Sequence, residues 1–353
     1  MRLIRSLLVI TKYMNTTNKI LLGVTCLLII AVVFLGLLYL NQPLTTPVSP
    51  VLEHDESDHT HGTSEVENVT TQIGDLTTPI TTAVLDSPYL NSYTLEDPLH
   101  GNETAVTVTD TNRTIVTNTL PNHEHGDFPS QGNPNSITAI NNTYTFPITP
   151  IYTGVAKEAR QAIVGINGVP FEPGTAERVS CTSGEEYRVV GLQDFLNLGM
   201  DMNNAHVQPT GLYHYHGSPT GLIDFADQGN DLVHVGFAAD GHLLYYSKSG
   251  AYTSSYTLST TPRSGTSCVI SGPGNSATTI AGTMPDGSFE EDWVYSKSSG
   301  DLDECNGATI NSEYVYMVTE EYPFISRCLM GEFAEEARPA GQNRQPGGSP
   351  ANR

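Results

Sequence analysis

Basic residues are scarce: 16 Lys plus Arg stand against 38 Asp plus Glu, a formal net charge of −22 at pH 7. Four of those cations, Arg2, Arg5, Lys12 and Lys19, fall in the first nineteen residues, which hold no acid, so everything after Lys19 carries −26. A surface of that sign repels phosphate backbones and excludes a nucleic-acid partner. Cysteine is sparse, five in all, and no pair has C-x-x-C spacing, which argues against a thiolate zinc site. G-x-S-x-G, H-E-x-x-H, P-loop and dinucleotide fingerprints are all missing. Gly (32) and Pro (22) are scattered without a period, which excludes a fibrous chain. Helical periodicity is confined to Leu192–Leu198 (LQDFLNL) and the short Ala334–Ala337 stretch.

Against these absences stands one long apolar run. Residues 20–40, ILLGVTCLLIIAVVFLGLLYL, contain no charge, and as a helix would span roughly 30 Å of hydrocarbon. All four early cations lie before it, which predicts a single-pass signal anchor with residues 1–19 cytoplasmic and the remainder extracellular or periplasmic. The alternative is a signal peptide and a secreted product, but the run exceeds the usual apolar length and no A-x-A pattern follows Leu40. Residues 41–84 read as a Thr/Pro-rich acidic stalk; over 41–120 there are eighteen Thr and one cation, Arg113. With Cys26 inside the run, Cys181, Cys268, Cys305 and Cys328 suit two disulfides. Three connectivities are open, with the sequential one preferred.

From residue 85 the pattern turns to short runs rich in Val, Ile, Thr and Tyr, bounded by Gly, Pro, Asn and Asp: AVTVTDTNRTIVTN, TYTFPITP, QAIVGINGVPF, DLVHVGFAADGHLLYY and YVYMVTEEYPF among them. The expectation is an all-β domain over 85–335 with little helix, its mainly antiparallel sheets forming a sandwich or irregular barrel, followed by a disordered tail at 336–353.

The chemically informative stretch is NNAHVQPTGLYHYHG, Asn203 to Gly217. Strand alternation puts His214 and His216 on one face and Tyr213 and Tyr215 on the other. With Pro209-Thr210-Gly211 as a three-residue hairpin loop, Gln208 opposes Leu212, His206 opposes His214 and Asn204 opposes His216. Directly opposed residues share a face, so three histidines gather on one side of one hairpin. His234, in DLVHVGFA, joins them if its strand is adjacent, and His123, in HEHGDFP, is a further candidate ligand. Such a set suits zinc or copper. Glu177 and Asp201 are candidate general bases. Asp301 and Asp303, in SGDLDECNG, suggest calcium but lack EF-hand spacing, and a disulfide-pinned turn explains them as well.

Those residues are also where the chain resembles a known family, the YHYH-domain proteins, through the tetrapeptide Tyr213-His214-Tyr215-His216. Further similar blocks are LPNHEHGDFP with GNPN (120–135), NGVPFEPGTAE (167–177), LGMDMNNAHVQPTGLYHYHGSPTGLI (198–223), GFAADG (236–241), SGDLDECNG (299–307) and YPFISRC (322–328). The resemblance implies a secreted or membrane-attached protein and supplies no reaction. It implies that His206, His214 and His216 belong to one motif, and that His123 and Asp240 lie in family blocks. Where family members often read DG-F-P-I-Y, this chain has Asp240-Gly241-His242-Leu243-Leu244-Tyr245, and His234 falls in no such block.

Three functions follow as expectations: a membrane-anchored domain binding a divalent transition metal, a metal-dependent hydrolase, lyase or oxidoreductase on the same histidines, or a structural surface or adhesion domain without metal. The small-molecule or protein partner stays open.

Overall fold

The structure, a computed structural model, describes residues 85–159, 161–271 and 277–333. The segment 20–40, the stalk and the tail lie outside the described residues. Among the described residues no helix is long and apolar enough to cross a membrane.

The chain begins with an antiparallel meander of β1 (Tyr93–Asp97), β2 (Asn102–Val108), β3 (Asn112–Thr117) and β4 (Asn142–Pro147). Alternation sorts its side chains: Asn102, Thr104 and Val106 of β2 and Asn142, Tyr144 and Phe146 of β4 point inward, their neighbours outward. Beyond it come β5 (Tyr152–Glu158), β6 (Ile163–Gly165), β7 (Pro170–Phe171), β8 (Arg178–Ser180), β9 (Glu186–Arg188), β10 (Ala205–Val207) and β11 (Tyr213–Tyr215). A short α-helix, α1 (Thr220–Ala226), the one α-helix among the described residues, precedes β12 (Leu232–Ala238) and β13 (Leu243–Ser247). The rest are β14 (Tyr256–Leu258), β15 (Cys268–Ile270), β16 (Ala277–Thr278), β17 (Trp293–Tyr295), β18 (Gly307–Ile310), β19 (Glu313–Val318) and β20 (Cys328–Gly331).

The β-rich expectation with little helix is met, but the sheets do not close into a barrel. The largest is an open eight-stranded sheet in the order β10-β11-β7-β6-β12-β13-β19-β18. It is mixed rather than purely antiparallel, since β11 pairs β7 in parallel and β13 pairs β19 in parallel. Its centre is β12, LVHVGFA, buried at every position, which is what a strand covered on both faces requires.

The helix predicted at Leu192–Leu198 does not form. Gln193 explains why: its side-chain amide donates to Leu196 O at 2.8 Å and its Oε1 accepts from Leu196 N at 2.7 Å, replacing the backbone ladder. The helix forms instead at TGLIDFA, where Leu222, Ile223 and Ala226 at i, i+1 and i+4 give it a buried stripe. Both disulfides are sequential, Cys181 with Cys268 and Cys305 with Cys328. Such bonds persist in oxidising compartments outside the cytosol.

Candidate metal centre

The hairpin that carries the histidines follows from local chemistry. Asp201 starts it by accepting, at Oδ1, the N–H of Asn203 (2.8 Å) and of Ala205 (3.2 Å) around a turn in which Asn204 takes φ 52°. β10 and β11 then pair with Ala205 opposite Tyr215, His206 opposite His214 and Val207 opposite Tyr213. The loop closes through Gln208 N to Leu212 O at 2.9 Å and Gly211 N to Gln208 O at 2.8 Å, with Gly211 at φ 91°. At the far end His216 N donates to Asn204 O at 2.7 Å. The register read from the sequence is the observed one, and the two faces separate as alternation requires.

On one face the tyrosines are sealed. Tyr213 OH donates to Asp201 Oδ2 at 2.7 Å, and Tyr215 OH lies 2.6 Å from His123 Nε2 while accepting from Asn167 Nδ2 at 2.9 Å. His123 Nδ1 faces the carbonyl of Glu124 at 2.9 Å, which can only accept, so Nδ1 carries the proton and Nε2 receives the tyrosine hydroxyl. Both nitrogens of His123 are thus engaged, on the face away from the other histidines. Asp201 is on that side too: its Oδ2 also takes Gly126 N at 3.0 Å, so the candidate base is a four-donor cap that does not line the cluster.

The opposite face is different. His214 and His216 are buried and His206 half-buried. His216 Nε2 stands 2.9 Å from His214 Nε2 and 3.1 Å from His206 Nε2. One ligand atom from each of the three lies within 4.8 Å of the others, a grouping able to hold a metal ion. Backbone carbonyls set the tautomers, because His206 Nδ1 donates to Leu198 O (2.8 Å) and His214 Nδ1 to Leu212 O (3.2 Å). Their Nε2 atoms are therefore bare lone pairs aimed at His216. His216 has a single proton to offer, and its other nitrogen, Nδ1, is buried without a partner. However that proton is placed, at least one buried lone pair stays unsatisfied, which costs about 1–3 kcal/mol.

Burial pushes His214 down to about 4; burial first, then His214's charge, brings His206 to about 4 against the opposing pull of Leu198 O, Glu177 and Glu172. His216 is driven well below its ordinary value by burial, then by His214, His206 and Arg327, against the opposing pull of the Glu172 backbone. All three are neutral imidazoles at pH 7, the form that binds metal. Gly191 lets the backbone lie against His216: a Cβ there would sit 2.8 Å from Nδ1 and 2.9 Å from Cβ and Cγ.

Glu172 is a residue of the histidine face that the sequence does not single out. Parallel pairing sets Tyr215 beside Phe171, and Glu172 N donates to Tyr215 O at 2.8 Å. Alternation then turns Phe171 to the tyrosine face, its ring 5.0 Å from Tyr215, and Glu172 to the histidines. Glu172 Oε2 lies 3.5 Å from His214 Nε2 and accepts from Gln208 Nε2 at 2.5 Å. The signal was the strand VPF just before it; what was missing was knowledge of which strand β7 would pair with. Glu177 is half-buried and close enough to act electrostatically on His206.

The remaining candidates lie apart. His234 is a satisfied core histidine: Nε2 donates to Gly236 O at 3.0 Å and Nδ1 accepts from Ser87 Oγ at 2.9 Å, which removes it from the ligand set. Asn204 gives Nδ2 to Ser218 O at 3.0 Å. Asp240, fully buried, accepts from Tyr316 OH at 2.6 Å, Gly331 N at 3.0 Å and His242 N at 3.2 Å. At SGDLDECNG the aspartate carboxylates are engaged by the protein itself. Asp301 Oδ2 is taken by Thr253, and Asp303 accepts from Cys305 N, Gly307 N and Tyr314 OH; the three-histidine group is the one metal-ligand cluster among the described residues.

Compared with known proteins, the chain matches the family model described as YHYH protein over residues 143–331, just over half its length. The match begins downstream of the block at 120–135 and includes both strands of the histidine hairpin. No curated protein and no solved structure matches.

Proposed function

The chain belongs to the YHYH protein family, and from that membership and the geometry of its hairpin we propose that it holds a divalent transition metal, zinc or copper, through Nε2 of His206, His214 and His216 with Glu172 as the fourth donor. The observation that carries this reading is the convergence of three Nε2 atoms, two of them stripped of protons by backbone carbonyls. Around a tetrahedral ion with bonds of about 2.0–2.1 Å, neighbouring nitrogens stand roughly 3.3 Å apart, close to the 2.9 and 3.1 Å seen. An ion would supply charge for those lone pairs to bind. The chain's own residues do the rest: Leu198 O and Leu212 O fix two rings, and Gln208 orients Glu172.

Four protein donors favour holding the metal, for capture or as a structural tie, over turning a substrate on it. Catalysis as a hydrolase, lyase or oxidoreductase is the weaker reading, because Glu172 stands where an open position would be. We place the domain outside the cytosol on a membrane tether. The uncharged run at 20–40 with its basic flank and the acidic stalk support the tether, and the disulfides support the compartment.

Metal analysis of the purified full chain after exposure to zinc and to copper, beside His214→Ala/His216→Ala, tests the metal. One ion per chain in the wild type and none in the variant is expected; no ion in either protein overturns the reading. Blotting of membrane and medium fractions tests the tether, and a processed form released to the medium contradicts it.

A further inference from the structure

A second feature of the domain lies apart from the histidine hairpin. Where β3 and the end of β4 meet the β12–β13 turn and strands β18 and β19, a cavity of about 710 Å³ opens, of the size that takes small organic ligands. Part of its wall is apolar, from Val108, Ile148, Pro150, Leu243 and Val315. The remainder includes two buried nitrogen groups that the protein does not satisfy.

The first is Arg113, the single cation of residues 41–150. It is 5% exposed, and its guanidinium lies over the Phe237 ring at 4.1 Å. Among the described residues its side chain makes one hydrogen bond, from Nη2 to Leu90 O at 3.0 Å, and Nε is buried without a partner there. Among the described residues no carboxylate pairs with it, although the same molecule gives Arg263 two aspartates, Asp286 and Asp292. A buried guanidinium without a counter-ion is costly and calls for an anion in good geometry. The second is His242, also 5% exposed. Its Nδ1 donates to Tyr314 O at 2.8 Å, so Nε2 is a bare lone pair, and it too has no partner. Both residues line the cavity. Glu313, on the same wall, is exposed and screened by solvent.

We infer that this cavity is a binding site for a small organic acid, its carboxylate on Arg113, its hydrocarbon body against the apolar wall and a hydroxyl or N–H, where it has one, offered to His242. On a chain this acidic, a lone buried arginine at a half-apolar cavity selects for an anion that the open surface repels.

Calorimetric titration of the purified full chain with benzoate and hexanoate, against their uncharged counterparts benzamide and hexanamide, tests the inference. The acids are expected to bind at least tenfold more tightly than the amides, and Arg113→Met to erase that preference. Thr309→Trp, a change at an exposed position of the cavity wall, keeps the test independent of whether Arg113→Met folds, and is expected to weaken acid binding fivefold or more. Amides binding as well as acids, no acid binding to the wild type, or acid binding unaltered in Thr309→Trp overturns it.

Discussion

The two faces of one hairpin, β10–β11, use the same backbone and spend it differently. On the tyrosine face every polar group that the structure describes has a partner: Tyr213 with Asp201, and Tyr215 with His123 and Asn167. On the histidine face two carbonyls turn lone pairs inward, and His216 Nδ1 has no partner. A face built for packing satisfies itself, whereas one left with converging acceptors is built around something else. The alternation of YHYH therefore divides structure from chemistry residue by residue.

The sharpest way to break that division is on the tyrosine side. Asp201→Ala removes the acceptor of four hydrogen bonds and should cost about 3–5 kcal/mol, read as a lower urea midpoint, with Tyr213 OH left buried and unpaired. On the histidine side, Gly191→Ala presses a methyl into His216. It should cost about 1–3 kcal/mol of stability and should lower metal affinity as well, whereas a face that only packs would show the first effect alone. Glu172→Gln keeps the side chain's size and should weaken metal binding about 10–100-fold in a chelator competition.

A further effect is a pH dependence to which His234, away from both faces, adds its own share. Burial lowers His234 from its ordinary 6.5 to about 3. Its folded-state value is below its unfolded one, so between those values the unfolded chain binds the extra proton and stability falls as pH falls. Denaturation at pH 7 and pH 5 should differ by about 2 kcal/mol for this group, and His234→Gln should narrow that difference.

How much of this was legible in the sequence depended on range. The hairpin register, the loop at Pro209-Thr210-Gly211 and the sharing of a face by His206, His214 and His216 are set by residues within a dozen positions of each other, and alternation alone determines them. The strands of the meander were legible for the same reason. What depended on distant pairing was not. Glu172 reaches His214 only because β7 lies parallel to β11, and His234 leaves the cluster because β12 is the buried centre of the sheet, two strands away from β7. The helix expected at LQDFLNL failed on one side chain, Gln193, which no periodicity reports. His123 and Asp201, both plausible as chemistry by type, turned out to serve the tyrosines.

The central claim is that the histidine face holds a metal through three imidazoles and a carboxylate. X-ray absorption of the zinc- or copper-loaded full chain addresses the donors directly. The account predicts three imidazole nitrogens and one oxygen at about 2.0–2.2 Å, and no bound ion to absorb in His214→Ala/His216→Ala. A loaded ion with fewer than three imidazoles, or with sulfur donors, would contradict it.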